Sequence, residues 1–289
     1  MNGFSGLRVL ALESRRAPEL AKLISNYGGE PVLAPAMREV PLESNQEALA
    51  FAAALFAGEF DMVIFLTGVG ARALLSVVET CYKREDYIAA LDRVSVVPRG
   101  PKPIAVLREL GVTPAITVPE PNTWRELLLA LDEAGVSREQ LRLRGKRVAV
   151  QEYGVSNPEL LSGLRERGAV VTRVPIYQWA LPEDLAPLQA AVEALAAGQI
   201  DVVLFTTSVQ LAHLFQVAAE MKLEESMRYG LGRAIVASIG PTTSEELQRR
   251  GIRADLEPTH PKMGFLVKEA AEQSQELLRR KRQESASAG

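Results

Sequence analysis

Residues 58–75 read GEFDMVIFLTGVGARALL, and residues 198–215 read GQIDVVLFTTSVQLAHLF. The two stretches lie 140 positions apart and share 7 of 18 residues: Gly58/Gly198, Asp61/Asp201, Val63/Val203, Phe65/Phe205, Thr67/Thr207, Val69/Val209 and Leu74/Leu214. The same offset aligns Gly100-Pro101 with Gly240-Pro241, Gly111 with Gly251, Pro18-Glu19-Leu20 with Pro158-Glu159-Leu160, and Gly28 with Gly168. A one-residue shift joins LRVLALE (7–13) to KRVAVQE (146–152). Agreement over separate stretches at one offset marks an internal duplication. A repeat of 140 residues is a whole domain, not a solenoid unit, so 289 residues make two homologous halves.

Outward from the quoted stretches, short runs of Val, Ile and Leu alternate with amphipathic segments. Strands are predicted at 7–12, 31–36, 61–66, 94–97, 115–118, 147–151, 170–176, 201–206, 234–239 and 254–257. Helices are predicted near 17–28, 45–57, 69–80, 101–110, 122–134, 158–168, 184–197, 208–220, 242–250 and 262–281. Alternating βα units call for a parallel sheet covered by helices on both faces. The fold class expected is therefore α/β, with two flavodoxin-like lobes of five strands each. The terminal LLRRKRQESASAG reads as a helix fraying into a tail, with the Arg279–Arg282 cluster a solvated helix end.

Composition narrows the function. A net charge of -3 and a pI near 5.7 disfavour nucleic-acid or membrane-surface binding as the whole-protein role. Aromatic residues at 6% give little material for a base-stacking surface. One cysteine, Cys81, and two histidines, His213 and His260, exclude an internal disulfide and a Cys/His zinc site. No signal-peptide plan and no membrane-length apolar run is present, so the expected compartment is the cytoplasm.

Parallel sheets bind ligands beyond the carboxyl ends of their strands. Those ends read Glu13-Ser14-Arg15, Thr67-Gly68-Val69, Pro98-Arg99-Gly100, Tyr153-Gly154-Val155-Ser156, Thr206-Thr207-Ser208 and Gly240-Pro241-Thr242-Thr243. Hydroxyls and glycines ahead of helix starts suit anions, because free N–H groups and the positive dipole end meet there. Each signal has an ordinary explanation as well. Gly68-Val69-Gly70-Ala71-Arg72-Ala73 matches a dinucleotide pattern, but its repeat partner lacks the glycines. Thr242 with Glu245, or Thr243 with Glu246, spells a capping box, and Thr206-Thr207-Ser208 also reads as a cap. Tyr177 follows a strand, and its repeat partner is Met37, so the shared fold does not require an aromatic there. His213 lies in an apolar helical pattern and reads as structural. Walker, Gly-x-Ser-x-Gly and His-Glu-x-x-His motifs are absent. The residues alone give a two-lobed, anion-friendly binder.

Taken together, FDMVIFLTGVGARAL, VVLFTTSVQLAHLF, the VPIYQW end of 170–179, and Ile239-Gly240-Pro241-Thr242-Thr243-Ser244-Glu245-Glu246-Leu247 with Arg250-Gly251 resemble the uroporphyrinogen-III synthase family. Adjacency alone predicts two consecutive lobes. The resemblance implies exchanged connectivity instead: one lobe from 1–37 plus 181–289, the other from 40–176, joined by two linker strands near 36–41 and 177–182. It implies cyclisation of hydroxymethylbilane with loss of water and inversion of ring D through a spiro intermediate, in tetrapyrrole biosynthesis. No organic cofactor or metal is implied. The substrate closes unaided to the type I isomer, so positioning outweighs acid/base work. Tyr177 matches the family's candidate for assisting hydroxyl departure. Thr242 and Thr243 are carried over as substrate contacts, with Thr206, Thr207 and Ser208 beside them and Thr67 and Gly68 as counterparts in the other lobe. Arg15, Arg72, Lys102 and Lys262 are added as cations at strand ends or helix starts. The loop Pro98-Arg99-Gly100-Pro101-Lys102-Pro103 departs from the family by lacking the threonine pair of its repeat partner. The partner implied is a polycarboxylate tetrapyrrole, with hand-over from hydroxymethylbilane synthase as a further candidate contact, and a monomer is expected. The alternative is a non-catalytic tetrapyrrole-sensing relative.

Overall fold

The repeat spacing reappears as two sets of βα units. The structure is a computed structural model that describes residues 3–41, 45–152, 154 and 156–287, excluding the side chains of residues 41, 177 and 284–287. Along the chain run β1 (Arg8–Ala11), α1 (Ala17–Asn26), β2 (Glu30–Leu33), β3 (Arg38–Pro41), α2 (Gln46–Phe56), β4 (Met62–Phe65), α3 (Gly68–Val78), α4 (Arg84–Leu91), β5 (Ser95–Pro98), α5 (Pro101–Glu109) and α6 (Trp124–Ser137). After a 3-10 turn at Glu139–Leu141 come β6 (Arg147–Glu152), α7 (Pro158–Glu166), β7 (Val170–Pro175), β8 (Tyr177–Ala180), α8 (Ala186–Ala196), β9 (Val202–Phe205), α9 (Ser208–Glu220), α10 (Glu224–Arg233), β10 (Ile235–Ser238), α11 (Pro241–Arg249) and α12 (Met263–Ser287).

The strands assemble into two parallel four-stranded sheets, β10-β9-β1-β2 and β5-β4-β6-β7, with β3 and β8 paired separately. Each sheet therefore combines strands from both halves of the duplication. The chain divides into two compact units, Met1–Arg38 with Ala180–Gly289, and Glu39–Trp179. Both faces of each sheet are covered, which is why β4 and β9 are buried at every position. In the first unit Val203, Phe205 and Val236 pack under α8–α11, while Val202, Leu204 and Ile235 pack under α1 and α12. In the second unit Val63, Phe65 and Val96 face α2–α5, and Met62, Ile64 and Val97 face α6 and α7.

Three expectations are corrected. The fifth strand of each lobe does not form a ladder. Ala115 donates to the Val96 carbonyl (2.7 Å), but Pro114 and Pro119 bound the segment and Arg138 Nη1 occupies the Ala115 carbonyl (2.8 Å). At 254–257 pairing shrinks to one bridge, Ala237 with Leu256, because the Asp255 carboxylate accepts from the Val236 N–H (2.8 Å) and Pro258 follows. Including that bridge, the first unit has the flavodoxin-like order 2-1-3-4-5.

Two helices, α4 and α10, were not anticipated, because REDYIAAL and EESMRYGLGR carry too many polar residues for an apolar stripe. Each buries one narrow face, Tyr87, Ala90 and Leu91 or Met227, Gly230 and Leu231, again 140 residues apart. Finally, α12 continues to Ser287 rather than fraying near 281. Lys281 Nζ binds Asp255 Oδ2 (2.6 Å) and the Ala234 carbonyl (2.8 Å), and Arg282 pairs with Asp201 (3.1 Å).

Candidate substrate site at the strand carboxyl ends

In the first unit, β1, β9 and β10 end side by side. The Thr206 hydroxyl donates to Glu13 Oε2 (2.7 Å) and accepts from Gln210 Nε2 (2.8 Å), while Gln210 Oε1 accepts from the Thr206 N–H (2.8 Å). Gln210 is fully buried, so Thr206 works as a brace, with its one donor already used. Thr207 is the N-cap of α9 and accepts from the Val209 N–H (3.4 Å), and Ser208 is the first helical residue.

At α11 the capping boxes expected from the sequence do not form. Gly240 is the N-cap, Pro241 takes the first helical position, and no side chain caps the helix. Glu246 pairs with Arg249 (3.5 Å) and Arg250 (2.9 Å) instead. Pro241 sets the helix start one residue ahead of Thr242, so both threonines lie inside the first turn. Thr243 is thereby buried, while Thr242 is exposed and its hydroxyl has no partner among the described residues. Ser238 braces the turn through Oγ to the Gly240 carbonyl (3.0 Å). Arg15 lies exposed in the β1–α1 loop and Lys262 exposed before α12.

The second unit is built differently. Thr67 caps α3 by accepting from the Gly70 N–H (3.0 Å). Gly68 is buried, and a Cβ there would lie 2.7 Å from the Lys102 carbonyl, so this glycine permits the approach of α5. A Cβ on Gly70 would lie 2.0 Å from Gln151 Nε2. The Gly-x-Gly pattern thus records packing demands on both positions. Lys102 is exposed in the first turn of α5, whereas Arg72 is engaged with Glu109 of α5 (2.7 Å) and is not brought to the strand ends.

Two residues that motif reading passes over define this edge. Gln151 at the end of β6 is fully buried, and neither amide atom has a partner among the described residues. Arg99 follows β5, its N–H bonded to the Phe65 carbonyl (2.9 Å). Its guanidinium has no ion pair among the described residues, and burial pushes it below its ordinary value, though arginine stays charged. The neighbouring acid Glu152 is buried and already neutralised by Arg173 (2.7 Å) and Ser156 (2.7 Å). The repeat did carry a signal: Arg99 stands at the position of Ile239, and Gln151 at that of Leu12. Tyr177 opens β8, but its side chain lies outside the described residues, as do Tyr153 and Val155.

Sheets woven from both halves of a duplicated chain are matched by comparison with known proteins. The model of the family described as uroporphyrinogen-III synthase HemD matches residues 18–268. The chain belongs to the uroporphyrinogen-III synthase family. The uncharacterized protein YjjA of Bacillus subtilis (strain 168) is 32% identical over 276 residues, covering 95% of this chain and 98% of that protein. A crystal structure of a mutant uroporphyrinogen III synthase from the extremely thermophilic bacterium Thermus thermophilus superposes with a TM-score of 0.73 at 24% identity, covering 94% of this chain and 99% of that one. The wild-type Thermus thermophilus enzyme in a second crystal form gives a TM-score of 0.57 at 26% identity, covering 94% and 100%. The two-lobed fold of the synthase family is thus the fold of this chain.

His213 is structural, its Nδ1 against the Ala36 carbonyl (2.7 Å). No described helix is long and apolar enough to cross a membrane. A surface cavity of about 460 Å³ lies on the α6–α7 flank around Asp132, Arg142 and Arg167, away from the strand ends.

Proposed function

We propose that this chain is a uroporphyrinogen-III synthase, cyclising hydroxymethylbilane to the type III macrocycle with inversion of ring D and loss of water. One observation carries the reading: within a synthase-family fold, α11 begins at Gly240-Pro241 with no side-chain cap, and at its positive end stands an exposed Thr242 hydroxyl without a partner among the described residues. That end suits a carboxylate of the linear tetrapyrrole. Thr207 and Ser208 at the start of α9, with the amides of Gly68 and Val69 at the start of α3, extend the same chemistry. Tyr177 is assigned a hydrogen bond to the departing hydroxyl oxygen, since a phenol can donate one while keeping its own proton near pH 7. The electrophile then forms in the substrate itself, and the protein's work is to hold the inverting conformation.

The test is to supply enzymatically generated hydroxymethylbilane and separate the oxidised uroporphyrin isomers. Type III product above the spontaneous background is expected. Type I alone removes the synthase reading and favours a tetrapyrrole-binding relative without turnover, a second reading supported by the missing threonine pair at Pro101-Lys102-Pro103. Tyr177→Phe is expected to lower type III formation at least several-fold in a protein that melts normally, and unchanged turnover removes Tyr177 from the step.

A further inference from the structure

The register of the second sheet places Gln151, Phe65 and Pro98 in one row across β6, β4 and β5. Arg99 and Gln151 therefore flank the β4–α3 turn from its two sides. Between them sit the Gly68 and Val69 amides, the first two of α3, which have no partner among the described residues because Thr67 serves only Gly70. A buried amide with both atoms unsatisfied calls for an explanation, since leaving such a group unpaired costs stability. Arg99, which has no counter-ion among the described residues, stands at the same edge. The Arg99 guanidinium and Gln151 Nε2 are donors without an acceptor, while Gln151 Oε1 is an acceptor that needs a donor of its own.

We propose that Arg99, Gln151 and the amino end of α3 form a carboxylate-binding subsite in the second unit, which takes over there the role that hydroxyls play at α11. It rests on the synthase-family reading for the identity of the ligand, an acetate or propionate arm of a tetrapyrrole. The guanidinium offers a bidentate fork, the α3 amides the helix dipole, and Gln151 Nε2 a buried donor. Glu152 does not oppose an incoming anion, because Arg173 already holds it. Arg99 is thus a specificity-determining residue that makes the second lobe select charged arms.

The experiment uses the intact chain and two probes, succinate and uroporphyrin III, followed by NMR at the Gly68 and Val69 amides and Arg99 Nε. Both probes are expected to shift these signals. Arg99→Met is expected to abolish the succinate response and weaken uroporphyrin at least tenfold. Arg99→Lys recovers part of that loss, and Arg93→Met, at the opposite end of β5, changes nothing. Absence of a succinate response at these amides in the wild type, or an undiminished one in Arg99→Met, overturns the subsite. A succinate response without uroporphyrin binding keeps the subsite and removes the tetrapyrrole reading. Gln151→Leu gives an arm that does not depend on the stability of Arg99→Met. It installs the residue found at the equivalent Leu12, and is expected to raise the melting temperature while weakening succinate several-fold. Raised stability with unchanged succinate binding removes Gln151 from the subsite.

Discussion

At the amino ends of their strands the two lobes use one device. Asp61 accepts from the Arg147 N–H (2.8 Å), and Asp201 accepts from the Arg8 N–H (2.9 Å), each tying the start of one strand to its neighbour. At the carboxyl ends the lobes part. The first satisfies a buried glutamine amide, Gln210 from α9, against Thr206. The second brings a glutamine from β6 instead, into the space that Gly70 leaves open, where neither amide atom has a partner among the described residues. Asp61 and Asp201, which tie the strand starts together, kept their identity after duplication, whereas Gln151 and Arg99 stand where the first lobe has Leu12 and Ile239.

The largest test of this equivalence is Gly230→Ala. A Cβ at Gly230 would lie 1.8 Å from the Leu195 carbonyl, whereas the matching residue of the second lobe is already Ala90. Overpacking of about 1–3 kcal/mol or more, set against about 1 kcal/mol gained in helix propensity, is expected to lower stability by about 2 kcal/mol in denaturant melts. A neutral result would show that α10 accepts the residue α4 already carries, and would remove this packing difference between the lobes. Thr206→Val comes next. It makes the first lobe resemble the second, where Leu66 stands, by removing the partner of Gln210 Nε2, while Gln210 Oε1 keeps the backbone N–H of residue 206, and is expected to cost about 1–2 kcal/mol. Tyr87→Phe removes a buried hydroxyl that has no partner, at a position where the first lobe carries Met227. A gain of about 1 kcal/mol is expected, read as a higher melting temperature.

The smallest effect is expected from Asp61→Asn. Hydrogen bonds from the Arg147 backbone N–H and side chain hold the Asp61 carboxyl below its ordinary value. Its contribution is therefore complete above about pH 4, the unfolded value, and is lost as pH falls through the folded one. Water reaches this pair, so the loss at pH 7 should be about 1 kcal/mol or less. Urea melts at pH 7 and pH 3 should show the variant's deficit shrinking in acid, and a deficit that is constant with pH would count against an ionised Asp61 as the tie.

Much of this was legible in the sequence. Runs such as MVIF and VVLF read as buried strands because both sheet faces are covered, and the 140-residue offset carried the helices with them. The polar α4 and α10 stayed hidden, since each is held by three buried residues rather than a full stripe. Hydroxyls and lysines at strand ends could be counted, but not their partners. Thr206 proved saturated and Arg72 paired outward, while Thr242 escaped capping only because Pro241 set the helix start. Gln151 and Arg99 belong to no motif. Their significance lies in missing partners, which only coordinates reveal.

The crossed connectivity also has a consequence in time. β1 lies between β2 and β9, so the first lobe's central pairing awaits a strand made about 170 residues after β2. At roughly 5–20 residues per second, the emerging chain carries two apolar strands without their neighbour for roughly 8–34 s, while the whole second lobe is synthesised and can close around its own core. During translation the two lobes are therefore not peers: the inner one is finished before the outer one can begin to seal, and β1 and β2 are the segments most in need of a chaperone.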